Sequence, residues 1–224
     1  MVFMKKIRII IDVVMYIFFI ILMGHHITGN HIHEILGIGT IILFIIHNII
    51  NIKFYKVIFK GKYNFKRLLL TVIDILLLFS MIGIIISSII ISRDVFSFLR
   101  IQTTIFGLKL HMISTSWGFI IMSIHLGLHL NALINKINKK MKNSTFEYIY
   151  YLVFLILIAY GIYSFIKLNL ISDMFLQNPF KIYDFDESPF IFYLHVLSSS
   201  IFIALTIYIL NKIKKGDKNY ELSN

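Results

Sequence analysis

The sequence predicts an all-α membrane bundle of six transmembrane helices in a single domain, and three observations carry that expectation. Of the 224 residues 58% are hydrophobic, and they arrive in blocks too long and too uncharged for a soluble core. The blocks lack the every-other-residue alternation of barrel strands, and backbone groups in lipid must pair within their own segment, so each block reads as a helix. The basic residues gather in short loops between the blocks, so the formal charge of +11 points to membrane orientation rather than to nucleic acid. Two prolines and the lack of a Gly/Ser-rich linker make residues 1–224 one domain.

Taken in order, the first span covers about residues 7–27. Its start, MVFMKKIRIIIDVVMYIFFIILMG, has the basic n-region of a signal peptide, but no small-x-small cleavage pattern follows, so it is expected to stay as a helix. The polar stretch GHHITGNH forms an outer loop with His25, His26 and His31, read as solvated interface residues, with an outer metal site or proton relay as the sharper alternative. The second span, about 33–55, carries His33 and His47, and the third, about 68–91, carries Asp74. The fourth, about 110–134, carries His111, His125 and His129; the fifth and sixth cover about 148–168 and 190–210, with His195 at the outer end of the last read, like the outer-loop histidines, as a solvated interface residue.

Charge orients the bundle. Lys5, Lys6 and Arg8, the six cations between spans 2 and 3, Lys136 to Lys142 after span 4, and Lys212 to Lys218 at the end hold 17 of the 22 basic residues. These segments alternate with loops carrying Glu34, Asp94, Asp173, Asp184, Asp186 and Glu187, so both termini are expected on the cytoplasmic side. Spans 2 and 4 then run in parallel from outside to inside.

On those two spans one spacing recurs: His33 to His47 and His111 to His125 are each 14 residues apart. Fourteen helical residues turn to within about 40° of four whole turns and rise about 21 Å, so each span presents two histidines on one side at two depths. Parallel spans pair His33 with His111 outside and His47 with His125 inside. Two imidazoles from facing helices can ligate a haem iron at each level, and two stacked b-type haems would carry electrons across the bilayer. The chain has no cysteine, which excludes disulfides, Cys-ligated iron–sulfur clusters and thioether-attached haem. His129 lies one turn beyond His125 and is the alternative inner ligand or its supporting partner.

Other features support the site more weakly. Gly37, Gly39 and Gly118 lie between the ligands, where a flat macrocycle can approach the backbone. Arg93, Arg100 and Lys109 can pair with haem propionates or stand as ordinary loop charges. Asp12 and Asp74, near the inner ends of spans 1 and 3, are expected either to pair with cytoplasmic lysines or to accept protons beside a quinone pocket.

The segment HEILGIGTIILFIIHNIINIKFY resembles the signature helix of the flavinylation-associated cytochromes, a bacterial membrane family long catalogued as a domain of unknown function. HMISTSWGFIIMSIHLGLHL resembles its second histidine helix, and GIYSFIKLNLISDMFLQNPFKIYDFDESPF resembles the end of span 5 and the outer loop of related sequences. The chain departs from the pattern at FYLHVLSSS, where Leu194 and His195 stand in place of an acidic–aromatic pair. The resemblance implies His33, His47, His111 and His125 as haem ligands, and a role in passing electrons from the inner side to an extracytoplasmic flavoprotein with covalent flavin. The chain shows no flavin-attachment motif of its own, so the flavin is expected on the partner.

The expected function is therefore that of an electron-transfer subunit rather than a stand-alone enzyme, in a bacterial cell membrane, fed by a membrane quinol or an inner dehydrogenase. Two rivals come from other classes: a transition-metal transporter or channel using His125, His129 and the outer histidines, and a non-catalytic membrane anchor subunit.

Overall fold

The computed structural model describes residues 2–138, 144–177, 184 and 186–221, and among them it is all-helical, with no strand. Helix α1 (Val2–Leu22) turns through Met23 and Gly24 directly into α2 (His25–Ile50), and a short α3 (Ile52–Val57) follows. Next come α4 (Phe65–Ile91), a one-turn 3-10 helix at Ser97–Leu99, and α5 (Ile105–Asn138). The chain continues through α6 (Ser144–Lys167), a short α7 (Leu170–Met174) and α8 (Pro189–Glu221).

Among the described residues four helical stretches are long and apolar enough to cross a membrane: His25–Ile50, Phe65–Ile91, Ile105–Leu130 within α5 and Pro189–Lys212 within α8. Helix α1 has Lys5, Lys6, Arg8 and Asp12 along its first half, and the described apolar run of α6 is the shorter Leu152–Lys167. The outer loop expected at GHHITGNH is not a loop. The two-residue turn at Met23 and Gly24 leaves His25 already in the first turn of α2, and the break expected before His33 shrinks to a kink at Gly29, whose φ of 69° is open to glycine at little cost.

Burial runs opposite to a water-soluble fold. Large apolar side chains such as Phe79, Leu155 and Ile166 face outward at 65%, 65% and 71% exposure, while Ser87, Ser123, Ser164, Ser199 and Ser200 are fully buried. In lipid the outside is apolar already, so small polar residues that let helices approach are the ones buried at the contacts. A Cβ on Gly127 of α5 would come within 2.5 Å of the Ala204 carbonyl of α8, and one on Gly161 of α6 within 2.7 Å of the Ser198 carbonyl.

Those contacts make α5 the centre of the bundle, with α4 along one side, α8 along another and α6 outside α8. Helix α2 packs on α1 and meets α4 only narrowly. The consequence for function is a gap between α2 and α5, the two helices that carry the repeated histidines.

Candidate functional site

At the level that the sequence expects to lie outside, called outer below as the opposite level is called inner, His33 of α2 and His111 of α5 face each other across that gap, with ring centres 6.3 Å apart and ring planes at 66°. A metal between two opposed imidazoles, with bonds of about 2.0 Å and about 1.2 Å from each nitrogen to its ring centre, sets the centres about 6.4 Å apart. The observed spacing is of that size. Both histidines line a cavity of about 420 Å³ that also touches Gly37, Ile38, Met81, Ile84, Met112 and Arg93. That volume lies within the roughly 300–1,000 Å³ typical of cofactor and ligand pockets.

The second ring nitrogen decides what the first can do. His111 Nδ1 lies 3.1 Å from Ser87 Oγ, which itself lies 2.7 Å from the Gly83 carbonyl. The single hydroxyl hydrogen of Ser87 is spent on that carbonyl, so His111 Nδ1–H is the donor and Nε2 keeps a bare lone pair. The same logic holds at the inner level with stronger acceptors. His47 Nδ1 donates to Asp12 at 2.7 Å, and His125 Nδ1 donates to Asp74 at 2.8 Å. Asn51 Nδ2 approaches His47 Nε2 at 3.4 Å, which fits an acceptor there. Three of the four histidines at the repeated spacing thus hold Nδ1–H in a bond and present Nε2 as a base, the arrangement that orients metal-bound imidazoles. His33 differs: among the described residues its Nδ1 is buried without a hydrogen-bond partner, and its ring meets His25 edge-on at 4.9 Å.

Several sequence expectations change here. Asp12 and Asp74 were expected to meet lysines or to stand as free proton acceptors; instead each accepts from a ligand-candidate histidine, because α1 and α4 bring them to the depth of His47 and His125. The structure brings His33 to His111 but, among the described residues, shows no ring contact between His47 and His125. His125 instead meets His129 at 4.7 Å, and His129 is exposed, within electrostatic reach of Asp74, Asp12 and Lys66. Of the three glycines, only Gly37 opens on the cavity, with nothing within 4 Å of the Cβ it lacks; Gly39 faces Phe18 of α1, and Gly118 packs against Ile84 and Phe19. Arg93 reaches the cavity, whereas Arg100 and Lys109 do not line it.

The remaining histidines separate as well. His26 lies edge-on to Phe192 at 4.7 Å, and His31 is exposed, 3.6 Å from Asp94. His195 is not a solvated interface residue but 2% exposed, with Nδ1 2.9 Å from Ser164 Oγ and its ring stacked on Tyr160. Its burial follows from the close approach of α6 and α8 at Gly161, and the Ser164 contact satisfies one ring nitrogen. Among the described residues, no three His, Asp or Glu side chains converge as a metal-ion site.

Glu34, next to His33, is the feature that sequence reasoning treated only as a loop charge. Its oxygens accept from Ser92 Oγ at 2.6 Å, Asn30 Nδ2 at 2.9 Å, and the N–H groups of Arg93 and Val95 at 2.8 Å each. The carboxylate pins the start of the α4–α5 connection, and with it Arg93, to the helix that carries His33. Glu34→Ala is expected to speed amide hydrogen exchange at Arg93 and Val95 at least tenfold, the equivalent of about 1.4 kcal/mol for lost charge-assisted bonds. Unchanged exchange at both amides would remove this role.

The fold and site define an all-helical membrane protein with one histidine pair, His33 and His111, facing a gap between two of its helices, and two further histidines, His47 and His125, each bonded to a carboxylate. No family model matches the chain, and the comparisons with curated proteins and with solved structures return no match.

Proposed function

We propose that the chain is a six-span di-haem b cytochrome of the flavinylation-associated type, moving electrons outward across a bacterial cell membrane. In this reading both termini face the cytoplasm, a membrane quinol or an inner dehydrogenase is the donor, and an extracytoplasmic flavoprotein is the acceptor. The observation that supports it best is the outer pair: two imidazoles at metal-spanning distance beside a cavity, with the His111 lone pair freed by its bond to Ser87. The α1 and α6 helices supply the two further spans, since the apolar part of each is flanked by the basic segments that set orientation.

The residues present fit a haem. His33 and His111 would hold the outer one, Gly37 leaves room for a flat ring, and Arg93 offers a cation to its propionates. His47 and His125 would hold the inner one, their rings fixed by Asp12 and Asp74. Bound haem supplies a one-electron iron couple. The chain's own residues would set ligand orientation, line the outer site with the apolar Met81, Ile84 and Met112, and leave Nε2 of His111, His47 and His125 free to ligate.

Reduced-minus-oxidised spectra of the purified protein, with iron and haem assayed on the same preparation, test this directly. A b-type band with two haems per chain is expected. Colourless protein that binds free transition metal would instead support the transporter reading.

A further inference from the structure

The three hydrogen-bonded histidines are not supported alike. At the inner level both imidazole N–H groups point at carboxylates, Asp12 at 2.7 Å and Asp74 at 2.8 Å. At the outer level one N–H points at a neutral hydroxyl, Ser87, and the other ring, His33, has among the described residues no partner for its buried Nδ1. A carboxylate acceptor draws the proton off the ring, makes the other nitrogen a stronger donor and adds negative charge beside the iron. Both effects favour the oxidised, more positive metal and lower the reduction potential.

Resting on the di-haem reading, we infer that Asp12 and Asp74 are positioning residues that set the inner haem at a lower potential than the outer one, so that electrons run downhill from inside to outside. The step moves one electron and breaks no bond: the inner site is oxidised and the outer site is reduced.

The other charges are mixed at both levels, with Arg8 bonded to the Ile50 carbonyl near His47, so the difference rests on the acceptors of the imidazole N–H groups. Glu34 lies beside His33, but its oxygens are occupied by the Ser92 hydroxyl, the Asn30 amide and the N–H groups of Arg93 and Val95. Arg93 and Asp173 line the outer cavity with opposite charges. On the inner side, Lys66 lies within electrostatic reach of His129, but no cation intervenes between either carboxylate and its histidine at the observed distances.

The two sites are also supported from different helices, which makes them separable by substitution. Asp12 is on α1 and Asp74 on α4, whereas Ser87 lies more than three turns along α4 from Asp74. A change at either carboxylate should therefore leave the outer acceptor in place.

Optical redox titration of the intact protein is the test, with His111→Ala used to assign the outer component. Two one-electron components are expected, the inner one lower. Asp74→Asn and Asp12→Asn should each raise the lower component and shift the electron partition toward the inner site about tenfold, read as about 59 mV for a one-electron couple. Ser87→Ala should leave the lower component where it is. If the asparagine variants lose haem, Asp74→Glu keeps the charge and should keep the lower component low. Colourless wild-type protein would overturn the haem reading and this inference together. Coloured protein whose lower component is the outer one, or does not move in either asparagine variant, would overturn the inference alone.

Discussion

His111→Ala is expected to halve the haem bound per chain, from two to one, and to abolish electron transfer from inner reductant to outer acceptor while the chain stays folded. His111 is the better-defined half of the outer pair, its ring held by Ser87 and aimed across the cavity at His33, 6.3 Å away centre to centre. Alanine removes the nitrogen donor and leaves the Ser87 oxygen, fully buried, without its ring partner. Ser87 keeps its bond to the Gly83 carbonyl, so the lost hydrogen bond costs about 1 kcal/mol, enough to call for a stability control. Ser87→Ala supplies it, because it removes the same hydrogen bond but keeps the imidazole. Haem content per chain, measured on both variants with thermal stability in the same detergent, separates ligation from packing. Two haems per chain in folded His111→Ala protein would remove His111 from the ligand set.

The second large effect is expected at the inner level, where two histidines compete. His125→Ala should lose the inner haem, and His129→Ala should keep it. The 14-residue spacing favours His125, and the structure adds a physical reason: Asp74 holds the His125 ring, whereas the neighbouring His129 is exposed. A ring already fixed loses less side-chain freedom on ligating a metal than one that must be ordered at that moment. Difference spectra of the two variants decide the assignment. Loss of the inner component in His129→Ala with retention in His125→Ala would exchange the roles, and the present contact of the two rings at 4.7 Å shows how short that exchange is.

Much of the helical layout was legible along the chain because apolar length is a local property. The expected segments 68–91 and 110–134 lie within or nearly coincide with α4 and α5, where nothing but a long apolar run is needed to specify a helix. The boundary of α2 was not legible. Polar residues in GHHITGNH look like loop chemistry, yet backbone bonding continues through them, with Ile27 and Thr28 N–H both donating to the Gly24 carbonyl and only Gly29 interrupting the helix. Likewise α3 and α7 are too short to leave a periodic signal.

The candidate site divides in the same way. The spacing of His33, His47, His111 and His125 could be read from residue numbers, because helical rise and twist convert separation in sequence into depth and facing. The acceptors could not. Asp12 lies 35 positions from His47 and Asp74 lies 51 from His125, so neither partnership has a local signature. Ser87, Ser164 and the burial of His195 are of this kind too, since they depend on how closely α4 meets α5 and how closely α6 meets α8.

The sequence alone determined a helical membrane chain with four histidines in two equal intervals, because hydropathy and helical geometry act over one segment at a time. Only the tertiary structure decided that His33 and His111 meet across a gap, that His47 and His125 are each tied to a carboxylate, and that Glu34 fastens the outer connection to α2. Those contacts join residues far apart in the chain, and they exist because α5 packs closely on α4 and α8 while α2 is held mainly by α1.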